Sequence, residues 1–104
     1  MLPRRAWLAA LLLPLRPARA AAAEVVIDDF AFQPAELRVA PGTTVRWTNR
    51  EDSPHNVVSQ ETPRLFRSRL MEAGESFAFT FDQPGEHAYY CALHPHMTGR
   101  VVVA

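Results

Sequence analysis

The feature that most constrains the fold of this chain is a short segment near its end, positions 91–97, which reads Cys-Ala-Leu-His-Pro-His-Met. It carries a thiol at Cys91, an imidazole at His94 and a thioether at Met97. A second imidazole, His55, lies far upstream in a Ser-Pro-His-Asn-Val segment. If these four side chains bind one metal ion, the segment must lie beside a distant part of the chain. A β-sandwich allows this arrangement, because the ends of neighbouring strands and their loops cluster at its edge.

The donor set of these residues favours copper. One thiolate, two neutral imidazoles and a weak axial thioether form the ligand group of a blue-copper centre. Zinc is the alternative metal, with Cys91, His94, His96 and His55 as four tetrahedral ligands. However, His94 and His96 flank a proline, and an extended His-Pro-His segment directs the two rings to opposite sides. The thioether of Met97 also favours copper over zinc.

The first 20 residues are predicted to be a cleavable export signal. Arg4 and Arg5 precede an apolar stretch over 6–15, and Ala-Arg-Ala at 18–20 offers small residues at the positions that a signal peptidase reads. The stretch is shorter than the about 20 apolar residues of a membrane-spanning helix. An amphipathic first helix of the domain fits this pattern less well. We therefore expect a periplasmic protein. The arginine pair followed by Trp7 and Leu8 loosely resembles a twin-arginine signal, but we interpret it as a chance pair and expect Sec export rather than Tat export.

Residues 21–104 are predicted to form one small copper-binding domain. Cys91 is the only cysteine, so a disulfide within the chain is excluded, and a bound metal can stabilise the fold instead. Four of the eleven arginines lie in residues 1–20 and all eleven acidic residues lie beyond them, so the processed domain has a net charge of −4. This charge argues against a nucleic-acid partner. We expect a monomer without stable membrane insertion.

The remaining sequence predicts short β-strands and no helix of normal length. Apolar and polar residues alternate over 43–49 and 76–81, as expected for strands with one buried face. Further strands are predicted over 24–32, 36–39, 55–59, 86–91 and 99–103, and a loop over 60–70 with room for one short strand or helical turn. Seven or eight short strands separated by turn residues predict an all-β sandwich.

Two smaller features are expected to be structural. Strand 86–91 places Cys91 and His87 on the same face, but too far apart along the strand for both to bind one metal ion. The acidic pair Glu51-Asp52 is predicted to lie in a solvated turn.

Four motifs of the sequence are similar to those of a known family. They are Phe32-x-Pro34-x-x-Leu37-x-Val39, Gly42-x-x-Val45-x-Trp47-x-Asn49, Pro54-His55-Asn56-Val57 and Gly85-x-x-x-Tyr89-Tyr90-Cys91-x-x-His94-Pro95-x-Met97-x-Gly99-x-Val101. On these residues, which span nearly all of 21–104, the chain resembles the cupredoxins, and among them the small amicyanin- and plastocyanin-like proteins. The resemblance implies a Greek-key β-sandwich, one copper ion, and outer-sphere electron transfer in the periplasm without enzymatic chemistry.

The resemblance also implies roles for individual residues. His55, Cys91 and His94 would be the equatorial copper ligands and Met97 the weak axial ligand. Asn56 would support them, because its side-chain amide would link the two ligand loops and its backbone N–H would donate to the cysteine sulfur.

The resemblance further implies a surface for electron exchange. His94 would present its ring edge as the electron port. The apolar rim around it would consist of Pro54, Leu93, Pro95 and Met71. A redox partner protein, namely a dehydrogenase, a cytochrome or an oxidase, would dock there by transient contact, and such contacts typically bury less than about 1,200 Å².

Two positions depart from the amicyanin pattern. His96 stands where an aromatic residue is usual, and Leu93 stands where proline is usual. Because Leu93 has a backbone N–H that proline lacks, it would either give the Cys91 sulfur a second hydrogen bond or only enlarge the apolar rim.

The alternative function is a periplasmic copper chaperone or copper-storage module, which would hold Cu(I) in an exchangeable site and to which His96 could contribute. A multicopper enzyme is a weaker alternative. Such enzymes add histidine ligands between domains, and residues 21–104 leave no room for a second domain.

Overall fold

The computed structural model describes residues 21–104, and the predicted export signal over 1–20 lies outside the described residues. The described chain forms eight β-strands. They are β1 (Ala22–Asp28), β2 (Ala31–Gln33), β3 (Glu36–Val39), β4 (Thr43–Asn49), β5 (Val58–Ser59), β6 (Ser76–Phe81), β7 (Gly85–Tyr90) and β8 (Thr98–Val103). Residues 21–104 contain no helix, and hence none that could cross a membrane.

The strands form two four-stranded sheets. One has the strand order β2-β1-β4-β6 and the other β3-β8-β7-β5. β1 pairs with β4 in parallel, as does β3 with β8, whereas the other pairs are antiparallel. Parallel neighbours cannot be joined by a tight hairpin, so the chain crosses between the two sheets. The predicted all-β Greek-key sandwich is confirmed.

Two predicted strands differ from the observed ones. The strand expected over 24–32 is divided into β1 and β2 by a two-residue turn at Asp29 and Phe30, both with positive φ, 53° and 51°. Such a turn usually contains glycine or asparagine, and the sequence Asp-Phe gave no such signal. The strand expected over 55–59 is shortened to β5, because His55 pairs with Met71 only in an isolated bridge.

The core lies between the sheets and is rich in aromatic residues. In β4 the fully buried Val45 and Trp47 alternate with more exposed residues, as predicted. Phe66, from the predicted loop over 60–70, packs against three phenylalanines on one face of β6: Phe77, Phe79 and Phe81, at ring-centroid distances of 6.2, 5.0 and 5.7 Å. This loop therefore forms no strand of its own, yet contributes one large side chain to the core.

His87 has a structural role, as expected. Its ring is buried near the start of β7, away from Cys91, and Nε2 donates a hydrogen bond to the Gln83 carbonyl at 2.8 Å. Nδ1 pairs with the Glu61 carboxylate. Burial alone would lower the pKa of His87, but these two bonds outweigh it and hold the pKa above its usual value.

Candidate metal centre

Two loops at one end of the sandwich carry the predicted ligands. His55 lies in the connection between β4 and β5, and residues 91–97 form the connection between β7 and β8. Backbone hydrogen bonds hold both loops: His55 exchanges two with Met71, at 3.2 and 2.8 Å. In the other loop Met97 accepts from Cys91 N–H at 3.1 Å and donates to the His94 carbonyl at 2.8 Å. These backbone bonds fix the path of each loop at this end of the sandwich.

The three equatorial donors converge on one point. Cys91 Sγ lies 3.7 Å from His55 Nδ1 and 3.7 Å from His94 Nδ1, and all three donor atoms lie within 4.8 Å of one another. Donors that share one ion at bond lengths of about 2.0–2.3 Å are about 3.5–4 Å apart. Cys91 and His55 are fully buried, and His94 is half-buried. The side chains therefore fit a single, mostly enclosed metal ion.

Met97 completes the copper ligand set and His96 does not join it. Met97 is buried in the same apolar cluster as Cys91, and its backbone bonds to Cys91 and His94 place it next to two of the three donor residues, as an axial ligand requires. His96 is exposed, and its ring centroid lies 6.3 Å from that of His94. The alternative four-ligand zinc site, which the sequence already disfavoured, is not formed, since the cluster of close donors in residues 21–104 contains His55, Cys91 and His94 but not His96.

Asn56 links the two ligand loops. Its side-chain oxygen accepts a hydrogen bond from the backbone N–H of Ala92 at 2.8 Å. The implied amide link is thus present. Among residues 21–104, however, the hydrogen-bond partners of the Cys91 sulfur are the two ligand imidazoles, and neither the Asn56 nor the Leu93 amide donates to it. Leu93 is 47% exposed and belongs to the rim.

One predicted rim residue is misplaced. Met71 is fully buried, because its backbone pairs with His55 and its side chain joins the core. It cannot contribute to a docking surface. Pro54 is half-buried and Pro95 is exposed beside His94. Sequence reasoning missed Phe30, which is 46% exposed and whose ring meets the rings of His55 and His94 edge-on at 5.3 and 5.1 Å.

Sequence reasoning also missed Glu51. Its Oε1 lies 2.6 Å from His55 Nε2, four residues along the chain. The expectation of a solvated turn is therefore wrong for Glu51, although Asp52 is exposed. The sequence signal was the spacing of four between Glu51 and the ligand His55, but this spacing brings the two side chains together only in a particular loop conformation, which the sequence does not reveal.

A two-sheet sandwich with a buried cysteine, two histidines and a methionine at one end defines a mononuclear type 1 copper protein. Residues 20–104 match the family model described as copper binding proteins, plastocyanin/azurin family. The chain belongs to this family. The copper expected from the donor set is thereby confirmed as the metal of the site.

Individual relatives agree with this assignment. Amicyanin-alpha of Methylorubrum extorquens is 35% identical over 92 residues, which cover 86% of this chain and 77% of the relative. The crystal structure of amicyanin from Paracoccus versutus is similar with a TM-score of 0.75 at 33% identity, covering 85% of this chain and 86% of that one. A purple cupredoxin from Nitrosopumilus maritimus has a TM-score of 0.73 at 32% identity, covering 79% and 99%.

Proposed function

We propose that the protein is a periplasmic electron carrier that moves single electrons through one type 1 copper ion and converts no substrate itself. The convergence of the three donor atoms of His55, Cys91 and His94 is the observation that carries this proposal. Its Cys91 and His55 are fully buried, whereas His94 is half-buried and reaches the surface. Bound copper supplies a Cu(II)/Cu(I) couple. The packed loops hold the donors in one arrangement, which keeps the rearrangement on electron transfer small.

Spectroscopy and voltammetry of residues 21–104 loaded with copper test this proposal. We expect intense red absorption and a type 1 EPR signal in the oxidised form, together with a reversible one-electron wave. A colourless oxidised protein, or one without a reversible wave, would contradict it.

A periplasmic copper chaperone or storage module is the second candidate, favoured by the exposed His96 beside the site. It predicts a colourless Cu(I) protein that yields its metal readily to a Cu(I) chelator. The electron carrier should instead release Cu(I) slowly, because Cys91, His55 and Met97 are buried. His96→Ala should leave the release rate unchanged in a carrier and alter it in a chaperone.

The docking surface is proposed to be the apolar rim around His94. The exposed large apolar side chains of residues 21–104 are Phe30, Leu70 and Leu93, at 46%, 45% and 47% exposure. Phe30 and Leu93 flank His94, while Leu70 precedes Met71, whose backbone pairs with His55. With Pro54 and Pro95 they form a surface suited to transient contact with a dehydrogenase, a cytochrome or an oxidase by a monomeric carrier.

Electron self-exchange between the Cu(I) and Cu(II) proteins tests this surface without a known partner. Leu93→Ser should slow self-exchange, measured by NMR line broadening, at an unchanged potential. Leu65→Ser, at a half-buried position that lines a surface cleft beside His87, is the control and should not slow it. Equal rates for both variants and the parent protein would contradict the proposed port.

Periplasmic export through the Sec route is proposed from the pattern in residues 1–20. Protein recovered from the periplasm should have the mass of residues 21–104. Replacing both Arg4 and Arg5 by lysine should preserve Sec export, whereas a Tat signal would fail. Full-length protein in the cytoplasm would contradict the assignment.

A further inference from the structure

The Glu51 carboxylate connects the ligand His55 to the turn between β1 and β2. Its Oε1 lies 2.6 Å from His55 Nε2, and the backbone N–H of Phe30 donates to its two oxygens at 3.2 and 3.1 Å. The Glu51 side chain is only 12% exposed. Its own backbone is held as well, because Glu51 N–H donates to the side-chain oxygen of the buried Asn49 at 3.0 Å. The carboxylate is thus fixed between the two partners.

The turn that Glu51 holds is conformationally unusual. Asp29 and Phe30 both adopt left-handed backbone angles, with φ of 53° and 51°. This region is unfavourable for a bulky side chain such as that of Phe30. A charge-assisted bond from the Phe30 N–H to a carboxylate stabilises the turn in this conformation.

The position of this turn decides what covers the ligands. The Phe30 ring meets His55 at 5.3 Å and 85°, and His94 at 5.1 Å and 90°. Edge-on contacts of this kind are the favoured geometry for aromatic rings. Holding the Phe30 backbone therefore holds an apolar ring against both imidazoles, next to the surface where electrons enter and leave.

We infer that Glu51 is a positioning residue of the copper centre, which orients His55 through Nε2 and holds Phe30 over both ligand imidazoles through its backbone N–H. This inference rests on the copper centre of the proposed function. The carboxylate accepts a hydrogen bond from the Nε2–H group, so the Nδ1 lone pair is free to face the metal. Its negative charge also favours Cu(II) over Cu(I), which keeps the potential low.

The test compares Glu51→Gln with Asp52→Asn. Asp52 is an exposed neighbouring carboxylate without a hydrogen bond in the described chain, so its variant removes the same charge but no contact. In the metal-free protein, ¹⁵N NMR of histidine should show His55 as the Nε2–H tautomer in the parent and in Asp52→Asn, and a mixture of tautomers in Glu51→Gln.

In the copper protein, Glu51→Gln should weaken Cu(II) binding by about tenfold, a typical loss for a hydrogen-bond partner of a ligand. If Cu(I) binding changes little, the midpoint potential rises by about 59 mV, the equivalent of a tenfold change for one electron. Asp52→Asn should produce a much smaller shift. Glu51→Asp, which keeps the charge but shortens the reach, should lose the tautomer preference and raise the potential less.

Equal tautomer populations and equal potentials in Glu51→Gln and Asp52→Asn would overturn the inference. If Glu51→Gln does not fold, Glu51→Asp carries the same tautomer test. Failure of the proposed function looks different, because the parent protein itself would then form no red-absorbing copper centre, whatever the behaviour of the variants.

Discussion

The side-chain oxygen of Asn56 accepts a hydrogen bond from the backbone N–H of Ala92 at 2.8 Å, and this bond ties the loop that holds His55 to the loop that holds Cys91. We expect Asn56→Ala to lower the free energy of unfolding of the metal-free protein by about 0.5–1.5 kcal/mol, because the part-buried hydrogen bond to the Ala92 N–H is lost. Denaturant unfolding measures this loss. Asn56→Asp keeps an acceptor oxygen and should lose less, and equal losses would contradict the role of the bond.

Replacement of the ligands should have unequal effects. Cys91→Ala should abolish the red absorption, because the colour arises from charge transfer between thiolate and copper. Met97→Ala should preserve the colour and shift the potential, since the axial bond is weak and long. Optical spectra and voltammetry of both variants decide this. A coloured Cys91→Ala protein together with a colourless Met97→Ala protein would refute the assignment of ligands.

Leu93→Pro should leave the potential unchanged. The sequence left open a second N–H···S bond from Leu93, but no such bond reaches Cys91 Sγ in the described chain. Removal of the Leu93 N–H therefore removes no hydrogen bond from the Cys91 sulfur. Voltammetry is the measurement, and a lower potential with unchanged colour would show that the Leu93 amide does act on the sulfur.

Gly99→Ala should destabilise the sandwich. A Cβ at this position would lie 2.5 Å from the hydroxyl oxygen and 2.6 Å from Cζ of Tyr89, the buried residue opposite Gly99 in β7. Overpacking of this kind costs about 1–3 kcal/mol. Thermal or denaturant unfolding measures it. Gly99→Ala combined with Tyr89→Phe should recover part of the loss, and a neutral Gly99→Ala would contradict the close packing.

The pair of His87 and Glu61 should make stability depend on pH. Because the pKa of His87 is raised in the folded state, its contribution is complete below the unfolded-state pKa of about 6.5 and is lost as pH rises through the folded-state value. As pH rises from about 6.5 through the folded-state pKa of His87, the free energy of unfolding of the metal-free protein should therefore fall more steeply in the parent than in Glu61→Gln. Parallel pH profiles would contradict the prediction.

Much of the fold was predictable because its signals are local. The alternation of Val45 and Trp47 with polar neighbours, and that of Phe77, Phe79 and Phe81, follows directly from the pleat of a strand. The turn at Asp29 and Phe30 was not predictable, because a bulky residue such as Phe30 rarely adopts a left-handed conformation and the bond that supports Phe30 comes from Glu51, far along the chain.

The sequence alone determined the donor set, because the spacing of thiol, imidazole and thioether within 91–97 favours copper over zinc and requires one distant histidine. The tertiary structure decided what surrounds these donors. Met71 is buried in the core, whereas Phe30 is exposed at the surface. Glu51 contacts His55, whereas the neighbouring Asp52 is exposed to solvent. Strand β1 pairs with β4 in parallel. These outcomes depend on which distant segments pack together, and packing of that kind leaves no periodic signal in the sequence.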